Sequence, residues 1–493
     1  MIKIYLSNEE YHYDIHALVK AFYPEDQVKV IVQIPDDNTV SESDSDEESD
    51  MDMIFDISAT TIKFNIIKNS ECIYSENNNV DTKDKKLFKN NLKRLIYHCL
   101  SNFTGKELPW GTLTGVRPTK IAYEMLEQNK SVDEIKDFMK EQYLCSKDKI
   151  DLSLKVAERE ITLLHEIDYK NGYSIYIGIP FCPSTCLYCS FTSYPLEQFG
   201  SYIDEYLQAL FKEITFAGTC YQDKKLSTIY VGGGTPTTLS AKQLDQLLTH
   251  IRKTFDFTYV SEFTVEAGRP DSITMDKLKV LKNHGITRIS INPQTMNQKT
   301  LDLIGRKHTV KQIIETYNMA RELGHDNINM DVILGLTGEN VDDVTYTLNE
   351  IGKLSPDSLT VHTLAIKRAA RLNIQKDKYL NMAATDVSVM LKIASEYAKS
   401  ADYLPYYLYR QKNMTDNLEN VGYAKFGKEG LYNILIMEER QTILALGAGG
   451  LCKFVFHDEN RIERVENVKS LKDYIERIDE MIERKHIFIN NNY

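Results

Sequence analysis

The chain has 493 residues, 42% of them hydrophobic, enough for about three domains and a substantial buried core. Its formal net charge of −12 argues against a nucleic-acid-binding surface, and no apolar stretch approaches the roughly 18 residues needed to span a bilayer. Outside one triplet, the eight cysteines (72, 99, 145, 182, 186, 189, 220 and 452) show no paired framework, and Met1-Ile-Lys-Ile-Tyr lacks signal-peptide anatomy, which points to a soluble cytoplasmic protein.

Residues 1–165 read as a separate α+β module. Ser41 to Asp52 is a block of like charges, expected to be solvated and disordered, with an interaction tail as the alternative. Around it lie strand-like pieces, Lys29 to Pro35 and Ile54 to Ile67, and a helix from Lys86 to Ser101. Leu108 to Lys120 holds the single tryptophan, Trp110, with two glycines and two prolines beside Arg117 and Lys120. That composition suits either a shaped loop that meets an anion or a structural link between helices. Nothing in this module names a chemistry.

The second region, 166–370, opens on an apolar run, Ile175 to Ile179, that reads as a buried strand. It leads into Pro-Phe-Cys182-Pro-Ser-Thr-Cys186-Leu-Tyr-Cys189, a CxxxCxxC loop. Three thiolates on one tight loop can hold three irons of a 4Fe–4S cluster. The position two beyond Cys189 is Phe191, so the fourth iron has no evident protein ligand and is open to a small molecule. This arrangement resembles that of radical S-adenosylmethionine (SAM) enzymes, in which SAM chelates the open iron and is cleaved to a 5′-deoxyadenosyl radical. A structural zinc site wants four ligands, and no second cysteine pair is present. Three core cysteines at this spacing by chance is the other reading, disfavoured by the strand, proline and aromatic around them.

Further strands read at about 227–232, 262–267, 287–293, 328–334 and 358–364, alternating with amphipathic helices. The helical stripes are Tyr202, Tyr206, Leu210 and Ile214; Leu244, Leu247, Leu248 and Ile251; Leu278 and Leu281, stopped by Gly285; Ile313, Ile314, Tyr317 and Ala320, stopped by Gly324; and Val344, Leu348 and Ile351. Six β/α units predict an α/β fold, a partial (β/α)6 barrel with ligand-binding groups at the C-terminal strand ends. Polar residues fall there. Gly232-Gly-Gly-Thr-Pro236 lets the backbone approach a ligand closely, though a plain glycine turn would look alike. Glu266 ends the third strand, Gln294 the fourth, and Asp331 sits on the fifth. A carboxylate on a barrel strand is costly to bury without a partner, and cationic SAM would supply one. Arg306 would pair with a ligand carboxylate. For each residue alone, a satisfied core polar group is an equal reading; their joint placement favours a site.

Residues 371–493 form a third, mainly helical region expected to cover the substrate. A helix near Leu380 to Ala401 leads to the tyrosine-rich Tyr403 to Tyr409, and a charged helix runs from Val468 to Lys485. Gly447-Ala-Gly-Gly450 reads as a small-residue turn. Lys367, Arg368, Arg371, Arg410 and Lys412 are the basic candidates for an anionic substrate, Arg410 first among them, with a solvated face as the alternative for each.

YxxIPFC with the cysteine loop, GGGTP, Glu266, RxSxxxQ at Arg288 to Gln294, Arg306 and DxIxGL at Asp331 to Leu336 together resemble the oxygen-independent coproporphyrinogen III dehydrogenases. Motif spacings agree without gaps from Gly233 to Ala365. Gly111 to Lys120, Tyr409-Arg-Gln-Lys, Glu419 to Tyr423 and Ile436-Met-Glu-Glu point to the HemZ branch. The resemblance implies Cys182, Cys186 and Cys189 as cluster ligands and Tyr176, Gly233 and Glu266 as contacts of the SAM on the cluster. Tyr188, Gly234, Thr235, Gln294, Arg306, Asp331 and Ala365 match positions that line SAM sites, a second SAM in the best-known members included; Tyr176, Gln294 and Arg306 are the implied catalytic residues. The departure is Gly178, where those members carry histidine.

The implied reaction is oxidative decarboxylation of two propionates of coproporphyrinogen III to vinyl groups in haem biosynthesis, with an electron donor such as flavodoxin or ferredoxin, in the anaerobic cytoplasm. Two other classes stand beside it: a haem-trafficking chaperone of the same family, and a radical SAM methyltransferase or haem-degrading enzyme. Retention of Gln294 and Arg306 favours the dehydrogenase. On this reading, removing Arg306 would leave the cluster itself unchanged.

Overall fold

The computed structural model describes residues 1–24, 26–34, 49–58, 61–79, 84–365, 370–374, 386–411 and 418–492. Residues 41–48 of the acidic run, with Lys367, Arg368 and Lys412, lie outside the described residues. The chain divides into two compact units, one of Met1–Lys155 with Arg410–Glu419, the other of Val156–Tyr409 with Asn420–Tyr493. Among the described residues no helix is long and apolar enough to cross a membrane.

The first unit is built on β1 (Ile2–Leu6), β2 (Val28–Ile31), β3 (Met51–Ile57), β4 (Thr61–Lys68) and β5 (Glu71–Asn79). They form one sheet in the order β2-β1-β3-β4-β5, parallel at β2-β1-β3 and antiparallel beyond. The stretch Ile54 to Ile67, read as one strand-like piece, is a hairpin that pairs Ile57 with Ile62. Helices His12–Phe22 and Lys85–Thr104 cover the sheet. Each presents an apolar stripe at helical spacing, Ile15, Leu18, Val19 and Phe22 on one and Phe88, Leu92, Ile96 and Leu100 on the other, to Ile4, Leu6, Phe55 and Phe64. The Trp110 loop has a structural account. Trp110 is fully buried and its Nε1 donates to Glu419 Oε2 at 2.8 Å, while Lys149 pairs with the same carboxylate.

In the second unit, β6 (Gly172–Ile179) runs into two short strands, β7 (Phe181–Cys182) and β8 (Tyr194–Pro195). There follow β9 (Lys225–Gly233), β10 (Glu262–Gly268), β11 (Arg288–Ile291), β12 (Ile328–Leu334) and β13 (Ser358–Thr363). β6 and β9 to β13 pair in parallel in sequence order, which is the six-unit partial barrel expected from the alternation. The crossover helices start where side chains take up their free amides: Ser240, Thr309 and Asn340 each form a reciprocal capping box. Gly285 and Gly324 take φ of +65° and +82° just past the helices they stop.

The C-terminal segment brings helices Val387–Ser400, Leu431–Glu438, Leu471–Glu476 and Ile478–Asn492, and it also extends the sheet at both edges. The tyrosine-rich stretch is β14 (Leu404–Tyr409), paired with β15 (Asn420–Ala424), which lies antiparallel on β13. At the other edge β16 (Thr442–Leu446) runs parallel to β6 and carries the hairpin of β17 (Leu451–Phe456) and β18 (Arg461–Glu466). The eleven-stranded sheet stays open, with β14 and β18 as its edges.

Strand alternation gives this sheet an apolar face toward the helices and a polar inner face. Thr264 donates to Glu262 (2.8 Å), Arg288 to Ser358 (3.0 Å), Thr360 to Asn329 (3.1 Å) and Asn329 to Asp331 (2.7 Å). The first and last of these bonds lie within one strand and the other two join strands; together they satisfy groups that would be expensive to bury alone.

Candidate cluster and SAM site

β6 delivers the chain to the cysteine loop, and backbone bonds fix the loop's course. Tyr194 N donates to Pro180 O at 2.8 Å, Leu187 N to Ile304 O at 2.9 Å, and Cys189 N to Cys186 O at 3.3 Å. Phe181 is fully buried, its ring edge-on to Tyr206 at 5.4 Å. None of the three cysteines is in a disulfide. Burial, then the neighbouring Cys189 and Cys186, push the Cys182 thiol up to about 11, against the opposing pull of Thr235 and Arg269. Binding metal would have to displace the thiol proton. Thr235 Oγ1 donates to Cys182 Sγ at 3.6 Å and Arg269 Nη1 to Cys186 Sγ at 3.8 Å.

The glycine run packs against the chain that enters this loop. Gly234 N donates to Ile179 O at 2.8 Å and Thr235 N to Phe181 O at 2.7 Å. A Cβ on Gly234 would stand 2.5 Å from Phe181 O, and one on Gly232 2.9 Å from Glu266 Cδ. Gly233 holds φ at +106°, a conformation that side chains avoid. The three glycines are therefore fixed by close approach and backbone conformation, beyond what a plain turn demands.

Beside them Tyr176, Tyr230 and Tyr432 form a stack, with Tyr230 and Tyr432 4.5 Å apart at 22° and Tyr176 6.2 Å from Tyr230. Tyr230 donates to Glu266 Oε1 at 2.5 Å. Burial raises the Glu266 carboxyl to about 7, opposed by that bond and reinforced by the charge of Asp331. Asp331 behaves in the opposite way. Burial pushes it up, yet His362 and Asn329 hold it below its ordinary value. His362 Nε2 lies 3.8 Å from Asp331 Oδ2 and its Nδ1 lies 3.4 Å from the Tyr409 hydroxyl. One carboxyl is thus poised near neutrality and the other is kept ionised on the same inner face.

Gln294 is buried at φ +67°, left-handed for a residue with a side chain. Its N–H donates to Asp331 O (2.9 Å), its C=O accepts from Ile333 N (3.0 Å), and its Oε1 has no partner among the described residues. Backbone strain with an orphaned buried oxygen is the combination found where a ligand completes a site. Arg306 is buried too, and donates from Nη1 to Asn292 O (2.6 Å) and from Nη2 to the Tyr188 hydroxyl (3.2 Å). Ala365 is half-buried just past β13. Tyr176, Gly233, Gly234, Thr235, Glu266 and Asp331 thus gather around the strand ends, and Tyr188 and Arg306 join at the cysteine loop.

The basic residues expected to hold substrate fare differently. Arg410 belongs to the first unit, where it is buried, donates from Nη1 to Leu113 O at 2.5 Å and from its backbone N–H to Val116 O at 2.8 Å. Burial lowers it to about 10. These bonds tie it to the Trp110 loop, an anchoring role that the sequence reading did not give it. Arg371 is exposed, and the next residue, Leu372, donates its N–H to Leu187 O in the cysteine loop at 2.9 Å.

The donor set fits the group that the loop implies. Among the described residues no three His, Cys, Asp or Glu side chains converge as a single ion requires, whereas a cluster takes each cysteine on a different iron. Arg269 supplies a compensating cation at the thiols, and Glu266, Asp331 and Gln294 Oε1 offer acceptors for a cationic ligand.

Comparison with known proteins agrees with this geometry. The model of the radical SAM superfamily matches residues 176–351. The oxygen-independent coproporphyrinogen-III oxidase-like protein HemZ of Bacillus subtilis (strain 168) is 38% identical over 487 residues, 97% of this chain and 96% of that one. Heme chaperone HemW of the same organism is 32% identical over 62% of this chain and 76% of its own. The structure of coproporphyrinogen III oxidase (HemN) from Escherichia coli, a radical SAM enzyme, superposes with a TM-score of 0.52 at 23% identity, covering 66% of this chain and 72% of that one, and shares the fold.

Proposed function

From the premise that this chain belongs to the radical SAM superfamily, in the family of the oxygen-independent coproporphyrinogen-III oxidases and their HemZ relatives, we propose that it converts coproporphyrinogen III to protoporphyrinogen IX without oxygen. What carries this reading is the end-to-end similarity to an oxidase-like relative, against a shorter match to the haem chaperones.

The superfamily uses a 4Fe–4S cluster and SAM, which when bound supply a primary-carbon radical able to take hydrogen from an unactivated C–H bond. Each propionate would lose one hydrogen atom to the radical, then CO2 and one electron, the electron passing to an external one-electron acceptor, to become vinyl. Cys182, Cys186 and Cys189 would hold the cluster, and a small electron carrier such as flavodoxin or ferredoxin would reduce it. Glu266, with Tyr176 and the backbone of Gly233, would take the cationic methionine and ribose ends of SAM. Gln294 Oε1 would gain its missing partner from the same ligand or from a second SAM. The polar inner face, enclosed by six strands, would exclude water from the reacting carbon.

The test is anaerobic incubation of reconstituted protein with SAM, a reductant and coproporphyrinogen III. Vinyl porphyrinogen formed in step with SAM consumed supports the dehydrogenase. Stable haem binding, with SAM cleavage and no vinyl product, supports the chaperone reading instead, for which Gly178 in place of histidine is the specific observation.

A further inference from the structure

Arg269 lies three residues beyond Glu266, at the head of the short turn Pro270–Ser272, and is 3% exposed. Its carbonyl accepts from Ser272 N (3.0 Å) and Ser272 Oγ (2.8 Å), so its backbone is fixed. The guanidinium is divided between two tasks. Nε and Nη2 form a bidentate pair with Asp271, at 3.0 and 2.7 Å. Nη1 turns to the cysteine loop and donates to Ser184 O (3.0 Å), Ser184 Oγ (2.8 Å) and Cys186 Sγ (3.8 Å). Ser184 stands between Cys182 and Cys186, and its Oγ continues to Gly305 O at 3.1 Å. Behind the pair, the buried His308 places Nδ1 3.5 Å from Asp271 Oδ1.

Burying an ion pair is a poor route to stability, because desolvation offsets most of the attraction. A pair that satisfied only itself would leave Nη1 without a purpose here. Instead the free fork of the guanidinium is spent on the one loop that carries three thiols. A cation and an N–H aimed at a ligand sulfur stabilise the more negative state of an iron–sulfur cluster, and hydrogen bonds to the sulfurs are among the main determinants of cluster potential.

We propose that Arg269 is a positioning residue that locks the cysteine loop through Ser184 and raises the reduction potential of the cluster through Cys186, with Asp271 setting how much of its charge the cluster feels. The inference rests on the cluster reading above. The redox step concerned is uptake of one electron by the cluster from an external reductant, with no bond made or broken.

Wild type, R269K, R269Q and D271N are reconstituted anaerobically, their iron and sulfide per chain measured, and their clusters titrated with dithionite under EPR. The expected order of midpoint potential is D271N above wild type, then R269K, then R269Q, because the first change unmasks the cation and the last removes it. The EPR line shape of R269Q should also change, since Ser184 loses its donor. A merely structural Arg269–Asp271 pair predicts lower iron content in all three variants and one common potential in the clusters that form, and that result overturns the proposal. If R269Q holds too little cluster to titrate, the opposite shifts of D271N and R269K decide the matter, and equal potentials there sink it. A wild-type protein that takes up no cluster would overturn the cluster reading itself, an outcome distinct from wild type and variants sharing one potential.

Discussion

Arg306 donates from Nη2 to the Tyr188 hydroxyl at 3.2 Å, which ties a residue read as a SAM contact to the middle of the cysteine loop. The sequence-based expectation that its removal leaves the cluster unchanged is therefore revised. Arg306→Ala would leave Tyr188 Oη and Asn292 O without this donor in a partly buried setting, a loss of about 1–3 kcal/mol. Chemical denaturation of the apo protein should show this loss. The reconstituted variant should also show an altered EPR spectrum, and an unchanged spectrum with unchanged stability would return Arg306 to a role in ligand binding alone.

Glu266 gives a pH dependence with a definite sign. Its carboxyl is raised from 4.5 to about 7 by burial, so in the free protein the neutral form is favoured below about pH 7. The stability linked to this group is fully present below about 4.5 and falls as pH rises through about 7. The difference amounts to roughly 3 kcal/mol at 1.36 kcal/mol per pH unit. A cationic ligand reverses the preference, because it pairs with the ionised form. SAM affinity should therefore rise between pH 6 and about 8, with proton release visible by calorimetry in buffers of different ionisation enthalpy. Glu266→Gln should flatten the profile while leaving iron content near normal; a slope that persists in this variant assigns the proton elsewhere.

The cysteine assignment predicts that the triple variant Cys182→Ala, Cys186→Ala, Cys189→Ala binds no iron and cleaves no SAM. Cys72, Cys99 and Cys145 belong to the first unit, and Cys452 is buried against the Ala445 backbone. Iron retained in full by the triple variant would move the cluster to those five other positions, Cys220 included.

Much of the second unit was legible because its strands are short apolar runs bounded by glycine or polar residues, and its helices carry one clean stripe each. Gly285 and Gly324 read correctly as stops because a left-handed φ after a helix favours glycine. The hairpin at Ile57 to Thr61 was not legible, since Ser58-Ala-Thr-Thr61 has no Gly, Pro, Asn or Asp to break the alternation. Arg269 and His362 escaped notice for a different reason. Arg269 meets Ser184 across 85 residues of chain, and His362 meets Tyr409 across 47. Nothing local marks a residue whose partners are that remote. Arg410 is a like case, since an arginine beside a tyrosine run does not reveal that a carbonyl 297 residues upstream accepts from it.

The two glycines around the loop should respond unequally to alanine. At Gly234 a methyl would meet Phe181 O at 2.5 Å and Ile179 O at 2.9 Å, backbone atoms that cannot step aside without moving the cysteine loop. Gly234→Ala should cost about 1–3 kcal/mol and reduce iron uptake. Gly178 finds its nearest neighbour, Leu446 O, at 3.4 Å, so Gly178→Ala should change stability by less than about 1 kcal/mol. Equal melting temperatures for the two variants would contradict the packing described.

The last prediction concerns how the C-terminal helix holds the start of the loop. Glu213 is fully buried, and four groups converge on it: Lys485 Nζ (2.7 Å), Asn467 Nδ2 (2.8 Å), Gly447 N (2.7 Å) and the Tyr474 hydroxyl (2.6 Å). Gly447 is held at φ +98°, where a Cβ would stand 2.6 Å from Gly178 O, and Tyr206 donates to that same Gly178 oxygen at 2.6 Å. The network therefore fixes the strand end two residues before Pro180. Lys485→Met removes the cation paired with Glu213 and leaves a buried carboxylate, which should cost about 3–5 kcal/mol. Glu213→Gln in the same chain removes the uncompensated charge and keeps one acceptor oxygen, so the double variant should recover part of that loss, a coupling of about 1–3 kcal/mol in a double-mutant cycle. Because Gly447 and Gly178 meet at the backbone, Lys485→Met should also lower iron uptake at temperatures where the protein remains folded. Additive effects of the two substitutions, with cluster content untouched, would show that the pair neither stabilises the fold jointly nor supports the cysteine loop.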